Sequence, residues 1–298
     1  MKPQWQFVPE RSNRFWIVII IWIARNMGRG FARLLMYPIS AYFVIFSTDT
    51  RKESRKFLNK ALGRKCRWLD VFKHYRIFAE CLLDRIFIYI GKDQDLEISV
   101  KGLDVLEHHA NSGQGCLMVG SHLGGFEIIR ALGKTRRGYT IKALIYGQAT
   151  PLITGIFKEL NPNLFEDFIF MGEASSLVGI DEHTRNGGFV SILADRVFNK
   201  ERRVTCSFFG EDAFFPEAPV VLSRVLNVPM VFFTCLNQGN GKYALIFENL
   251  SASSNFEKTE RAICTQILMQ HFASRLEHYC REAPYNWFNF YDFWDKDA

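Results

Sequence analysis

From about residue 96 the chain repeats one texture: short apolar runs of strand length alternate with stretches of helical periodicity. Ile98–Val100, Gly115–Val119, Thr140–Tyr146, Asp167–Met171, Gly188–Ala194, Val204–Phe209, Pro229–Leu236 and Tyr243–Glu248 read as strands. Residues 124–133, 150–160, 174–186, 218–226 and 255–281 read as helices. Such alternation predicts an α/β fold, a mixed central sheet flanked by helices. Gly115–Val119 is continuously apolar, as expected of a strand covered on both faces.

The region before residue 96 differs. Residues 15–24 form the most apolar run in the chain, and a second apolar run, Phe31 to Phe46, is interrupted by Arg33 and Pro38. Ten helical residues reach only about 15 Å, half a hydrocarbon core, so a helix lying in one leaflet or a tilted span is favoured over a perpendicular one. Arg25, Arg29 and Arg33 recur every four residues and so share one helix face, from which they are expected to snorkel to lipid phosphates. A cleaved signal peptide is the rival reading, disfavoured because no small-residue cleavage site follows Ala24. Residues 52–62 and 66–91 show helical periodicity. The expected organisation is a membrane anchor over 1–48, a basic helical region over 49–95 and an α/β domain over 96–298.

The net charge of +6 is concentrated: residues 51–76 carry ten basic side chains against Glu53 and Asp70. Such a block suits polyanions, whether lipid headgroups or an acidic protein. Nucleic acid is not expected, since the block adjoins the apolar segment and follows no reading motif. Its position also fits a cytoplasmic face under the positive-inside rule. The seven cysteines are scattered without Cys-x-x-Cys spacing, which suggests neither a zinc site nor a disulfide framework. The 28 phenylalanines suit a large apolar pocket as well as they suit an ordinary core.

Gly120-Ser-His-Leu-Gly-Gly-Phe-Glu127 carries the chemistry. Transfer of an acyl group to a hydroxyl needs a base, a group to orient it and donors for the oxyanion. His122 follows a buried strand, and Glu127 is expected in the first turn of the next helix, close enough to accept from one imidazole nitrogen. Gly124 and Gly125 would let substrate approach, with helix N-terminal amides facing the oxyanion. None of the other six histidines has an acidic residue five positions on. Arg130, one turn beyond, is a candidate to hold the carboxylate or a phosphate. Asp195 and Arg196 end a buried strand, another favoured place for a site. Phe208 and Phe209, before Gly210, suit either an acyl tunnel or the core.

The membrane segment, the basic helices, the His122-x4-Glu127 motif, Asp195-Arg196, Ser207-Phe-Phe-Gly210, Phe215-Pro216 and Ala218-Pro219 together resemble the lipid A biosynthesis late acyltransferases, within the wider lysophospholipid acyltransferase superfamily. The resemblance implies a catalytic His122/Glu127 pair at the cytoplasmic face of the bacterial inner membrane, with no cofactor. It also implies a fatty acyl thioester of acyl carrier protein as donor and a lipid A precursor or related envelope lipid as acceptor. The block from Asp195 to Gly210 is then expected beside the site and the acyl pocket. Arg196 stands where the family pattern has Gln, and the tail Tyr285–Trp294, with seven aromatics in ten residues, also departs from it. Both departures suggest a divergent branch. A glycerolipid acyltransferase or a thioesterase using the same pair, and a non-catalytic membrane-docked lipid-binding protein, are the competing readings.

Overall fold

The computed structural model describes residues 21–23, 26–129, 139–145, 161–162, 166–171, 174–197, 201–250 and 261–295. Residues 21–23 are helical, and among the described residues helices α1 (Gly28–Phe46), α2 (Thr48–Leu62) and α3 (Trp68–Tyr89) follow. Strand β1 (Glu97–Lys101) and helix α4 (Leu103–Asn111) lead into β2 (Leu117–Gly120). Then follow β3 (Ile141–Ile145), β4 (Phe168–Phe170), α5 (Ala174–Arg185), β5 (Phe189–Leu193), β6 (Arg203–Phe208) and β7 (Glu211–Pro216). Helix α6 (Ala218–Leu226), strands β8 (Met230–Gly239) and β9 (Lys242–Asn249) and helix α7 (Arg261–Glu282) complete the described elements. The expected run of 150–160, the apolar run before Ile21, and Arg25 lie outside the described residues.

Among the described residues seven strands form one sheet in the order β1-β9-β8-β2-β5-β3-β4, mixed as expected, with β8 and β9 an antiparallel pair. Alternate residues of the central strand β2 enter different cores. Leu117 and Val119 join a cluster with α2, α3 and α7, while Met118, with Cys116 just before it, joins one on the opposite face. That two-faced burial is why the run is apolar without alternation. Phe57 and Leu58 of α2 and Val71 and Tyr75 of α3 belong to the same core as the sheet, so the basic helices pack on it directly.

Helix α1 continues through Pro38, which lies on its exposed side, and then bends 99° into α2. Among the described residues no single helix is long and apolar enough to cross a membrane. Ala32 and Met36 of α1 pack on Leu83, Ile86 and Phe87 of α3. Two members of the expected arginine stripe turn to carboxylates of α3: Arg29 pairs with Asp84 at 2.7 Å and Arg33 with Glu80 at 3.5 Å. Both carboxylates belong to buried residues of α3, and a buried carboxylate demands a cation more strongly than a hydrated phosphate does.

The strands β6 and β7 form a separate hairpin that packs on α7. Its two loop residues, Phe209 and Gly210, both have positive φ, +54° and +77°, which gives the primed type of turn that matches strand twist. Gly210 is therefore a turn residue. The aromatic tail, whose place was open from sequence alone, packs into the body: Trp287 is fully buried, with its ring 4.8 Å from Phe57, 5.3 Å from Phe208 and 4.9 Å from Phe293.

Candidate active site

The site follows from one parallel pairing. Strands β2 and β5 are neighbours in register, Gly120 opposite Leu193, and both chains leave the sheet at the same edge. Two residues beyond each pairing partner stand His122 and Asp195. The Nδ1 of His122 lies 2.8 Å from Oδ1 of Asp195, and the backbone N–H of His122 donates to Oδ2 at 3.0 Å. A third donor, the indole Nε1 of Trp287, reaches the same Oδ2 at 3.0 Å. This geometry corrects the expectation that Glu127 orients the imidazole. Glu127 lies in a turn, with helical structure starting at Ile128, and pairs with Arg85 of α3 at 2.9 Å and with the Tyr89 hydroxyl at 3.5 Å.

Asp195 is 1% exposed. Burial alone would raise its carboxyl pKa, but the charges and hydrogen bonds of His122, Arg196 and Trp287 outweigh burial and hold it below the ordinary range. An ionised carboxylate only accepts, so Nδ1 of His122 carries the proton and Nε2 keeps its lone pair. Burial and then the nearby Arg196 charge push the imidazole below its ordinary pKa, although Asp195 pulls the other way. At neutral pH His122 is therefore a neutral base with the tautomer fixed for proton uptake at Nε2.

The imidazole is 24% exposed and lines a cavity of about 360 Å³ together with Glu127, Arg85 and Arg196. The remaining wall is mainly apolar, including Phe78, Leu82, Phe126 and Phe288. Such a volume, mostly greasy with a few convergent polar groups, suits a ligand combining hydrocarbon with a polar reacting end.

The glycines serve a different purpose from the one expected. A Cβ at Gly124, whose φ is +73°, would sit 2.0 Å from the Cys235 carbonyl oxygen, and one at Gly125 would meet Ile128 and Tyr243 below 3 Å. Their amides are also engaged, Gly124 with the Asn286 carbonyl at 2.8 Å and Gly125 with that of Cys235 at 2.7 Å. Both residues touch the cavity, but their lack of a side chain lets the loop lie against β8. The two engaged amides do not serve an oxyanion, and the cationic side chains on the described wall are Arg85 and Arg196.

Arg196 does lie beside the site, as expected, donating to the Phe288 carbonyl at 3.3 Å and sitting 5.8 Å from the Tyr291 ring centre. Phe208 and Phe209 do not line this cavity. Phe208 is fully buried under Trp287 and Trp294, and Phe209 packs edge-on against Phe57. Arg130 lies outside the described residues. Cys116 is fully buried on β2's approach to the site, and burial pushes its thiol pKa up, which makes it a poor nucleophile.

The family model for bacterial lipid A biosynthesis acyltransferases matches residues 1–296. The chain belongs to that family. No individually curated protein matches it. Family membership makes the chain an acyltransferase of lipid A biosynthesis. The structure brings together His122, Asp195 and Arg196, which the sequence places at strand ends. Sequence reasoning missed Trp287 and Arg85, whose roles depend on contacts between segments far apart in the chain.

Proposed function

We propose that this acyltransferase moves a fatty acyl chain from an acyl carrier protein thioester to a hydroxyl of a lipid A precursor or related envelope lipid. The observation that carries the proposal is the Asp195-oriented imidazole of His122, its Nε2 left to serve the largely apolar cavity. In the reaction, Nε2 takes the hydroxyl proton while the alcohol oxygen attacks the thioester carbonyl. The tetrahedral intermediate then expels the thiolate, which recovers the proton from the imidazolium; one ester bond forms and one thioester bond breaks. Glu127, held by Arg85 on the same wall, positions the acceptor. The two wall arginines suit a phosphorylated headgroup and the developing oxyanion.

Docking at the cytoplasmic face of the inner membrane belongs to the same proposal. Helix α1 exposes Leu34, Tyr37, Tyr42, Ile45 and Phe46, and the start of α3 exposes Trp68 and Leu69. The rings of Tyr37 and Trp68 both contact Phe72, at 6.4 and 5.8 Å, which joins the two helices into one apolar surface. Exposed Arg64, Lys65 and Arg67 flank it. An apolar surface bordered by cations suits an anionic lipid interface.

Incubating the purified protein with an acyl carrier protein thioester and extracted envelope lipid, then weighing the lipid by mass spectrometry, tests the reaction. A lipid heavier by one acyl chain is expected, and no gain in mass would refute it. The donor has its own test. Of the ten basic residues at 51–76, Lys56, Lys60, Arg64 and Arg76 are already paired with Asp292, Glu211, Asp70 and Glu80. Lys52, Arg55, Lys65 and Arg67 are exposed. Reversing Lys52 and Arg55, which are not among the cations that flank the lipid-docking surface, to Glu should raise the KM for the carrier-protein donor severalfold at low salt, because opposed charge mainly speeds encounter with an acidic partner. A short acyl-coenzyme A donor should be much less affected. Equal effects on both donors, or none on either, would contradict the carrier-protein assignment.

A further inference from the structure

We infer that Trp287 is a positioning residue, its indole N–H fixing the Asp195 carboxylate that orients His122, a role that rests on His122 acting as the base. Asp195 has three donors within hydrogen-bond distance, and Oδ2 shares two of them, the His122 backbone N–H and the Trp287 indole, each at 3.0 Å. The same stretch of tail also holds the other member of the pair: the Phe288 N–H donates to the His122 carbonyl at 2.9 Å. Asn286 adds the bond from Gly124. Residues 286–288 thus lie antiparallel to the His122 loop, Leu123 bridged to Trp287, and secure both the backbone of the base and the carboxylate behind it.

What holds Trp287 itself is a buried polar contact from the helical region. The Nε2 of His74, on α3, lies 2.8 Å from the Trp287 carbonyl oxygen, and its Nδ1 lies 2.8 Å from the hydroxyl of Ser54 on α2. A carbonyl only accepts, so Nε2 of His74 carries the proton and Nδ1 accepts from Ser54. His74 is fully buried, and burial pushes its imidazole down to about 4, so it stays neutral wherever the acyltransferase is expected to work. The rings of Phe57, Phe208 and Phe293 leave the indole no room to rotate away. The line Ser54–His74–Trp287–Asp195–His122 joins the helices before the sheet to the reacting nitrogen. It gives the aromatic tail a purpose that its composition alone did not suggest.

The charged and titratable groups that influence His122 are Asp195 and Arg196 after β5 and Arg85 on α3. Glu127 shares the cavity wall, while Tyr291 in the tail and Cys280 on α7 lie near Asp195. With the indole donor gone, the carboxylate is less stabilised by hydrogen bonding and interacts more strongly with an imidazolium, so His122 should hold its proton to higher pH. The test compares the full-length protein with Trp287→Phe and with a variant carrying 3-benzothienylalanine at 287, which keeps the fused-ring shape but lacks the N–H. Both are expected to lower kcat for the carrier-protein thioester by roughly ten- to a hundredfold, the range set by losing a bond to a charged group, with little change in KM. In both, the His122 pKa, read by NMR titration of labelled histidine and assigned against His122→Ala, should move up.

If the benzothienyl variant keeps the native kcat and His122 titration, the indole only fills space and the inference is overturned, even should Trp287→Phe misfold. If either folded variant leaves the titration unmoved, or moves it down, the inference is likewise overturned. Failure of the underlying reading looks different: His122→Ala would then retain turnover, whatever Trp287 does.

Discussion

Replacing His122 by Ala is expected to lower acyl transfer by roughly 10²- to 10⁴-fold, the range set by removing a general base. The protein should still fold. Asp195 keeps two of its donors, the backbone N–H at 122 and the Trp287 indole, and the lost side chain was already partly open to the cavity. A modest fall in melting temperature from the missing third donor is consistent with this. Near-normal turnover in a folded His122→Ala protein, measured by the mass of the lipid product, would contradict the mechanism.

Asp195→Asn should come close to that loss, and Glu127→Gln should not. The carboxylate at 195 faces three donors, one on Oδ1 and two on Oδ2. An amide has only one accepting atom, so either orientation sets its NH₂ against an N–H. With the NH₂ toward His122, the imidazole is driven to the wrong tautomer; with it toward Trp287 and the backbone, two donors are opposed. A loss of roughly 10²- to 10⁴-fold is expected, together with a lower melting temperature. Glutamine at 127 keeps an accepting oxygen for Arg85, and its NH₂ can donate to the Tyr89 hydroxyl oxygen, which unlike an N–H can also accept, so roughly tenfold or less is expected. Turnover numbers for the two variants under one set of conditions decide the order, and a larger loss at Glu127 would restore it as the orienting group.

Features of this fold are legible in the sequence where the pattern that specifies them is local. Strand β2 and its following His122 were legible because a continuous apolar run ending in Gly-Ser-His is a local pattern. The partner of His122 was not, because it is set by β2 lying beside β5, which no spacing within Gly120–Glu127 reveals. Glu127 attracted the role by nearness in sequence, while Asp195 holds it 73 residues away. Helix α4 and strand β7 were passed over for a similar reason, since their short patterns only become unambiguous against β9 and β6. The four-residue spacing puts Arg29 and Arg33 on one face of α1, but where that face turns is decided by Asp84 and Glu80 on a helix further along. The tail offered only aromatic composition, and its function comes from one indole nitrogen placed by His74.

Whether His122 is the base is decided by the pH dependence of kcat/KM in the native enzyme, which reports the base in the free protein. Burial and Arg196 lower the His122 pKa, and the neutral imidazole is the active form, so activity should be present above that pKa and be lost as pH falls through it. The rate should be level at neutrality, with an acid limb below the ordinary imidazole value of about 6.5. That limb should be absent from whatever residual rate His122→Ala retains. A rate still climbing through neutral pH, or an acid limb that survives the loss of His122, would contradict that role for His122.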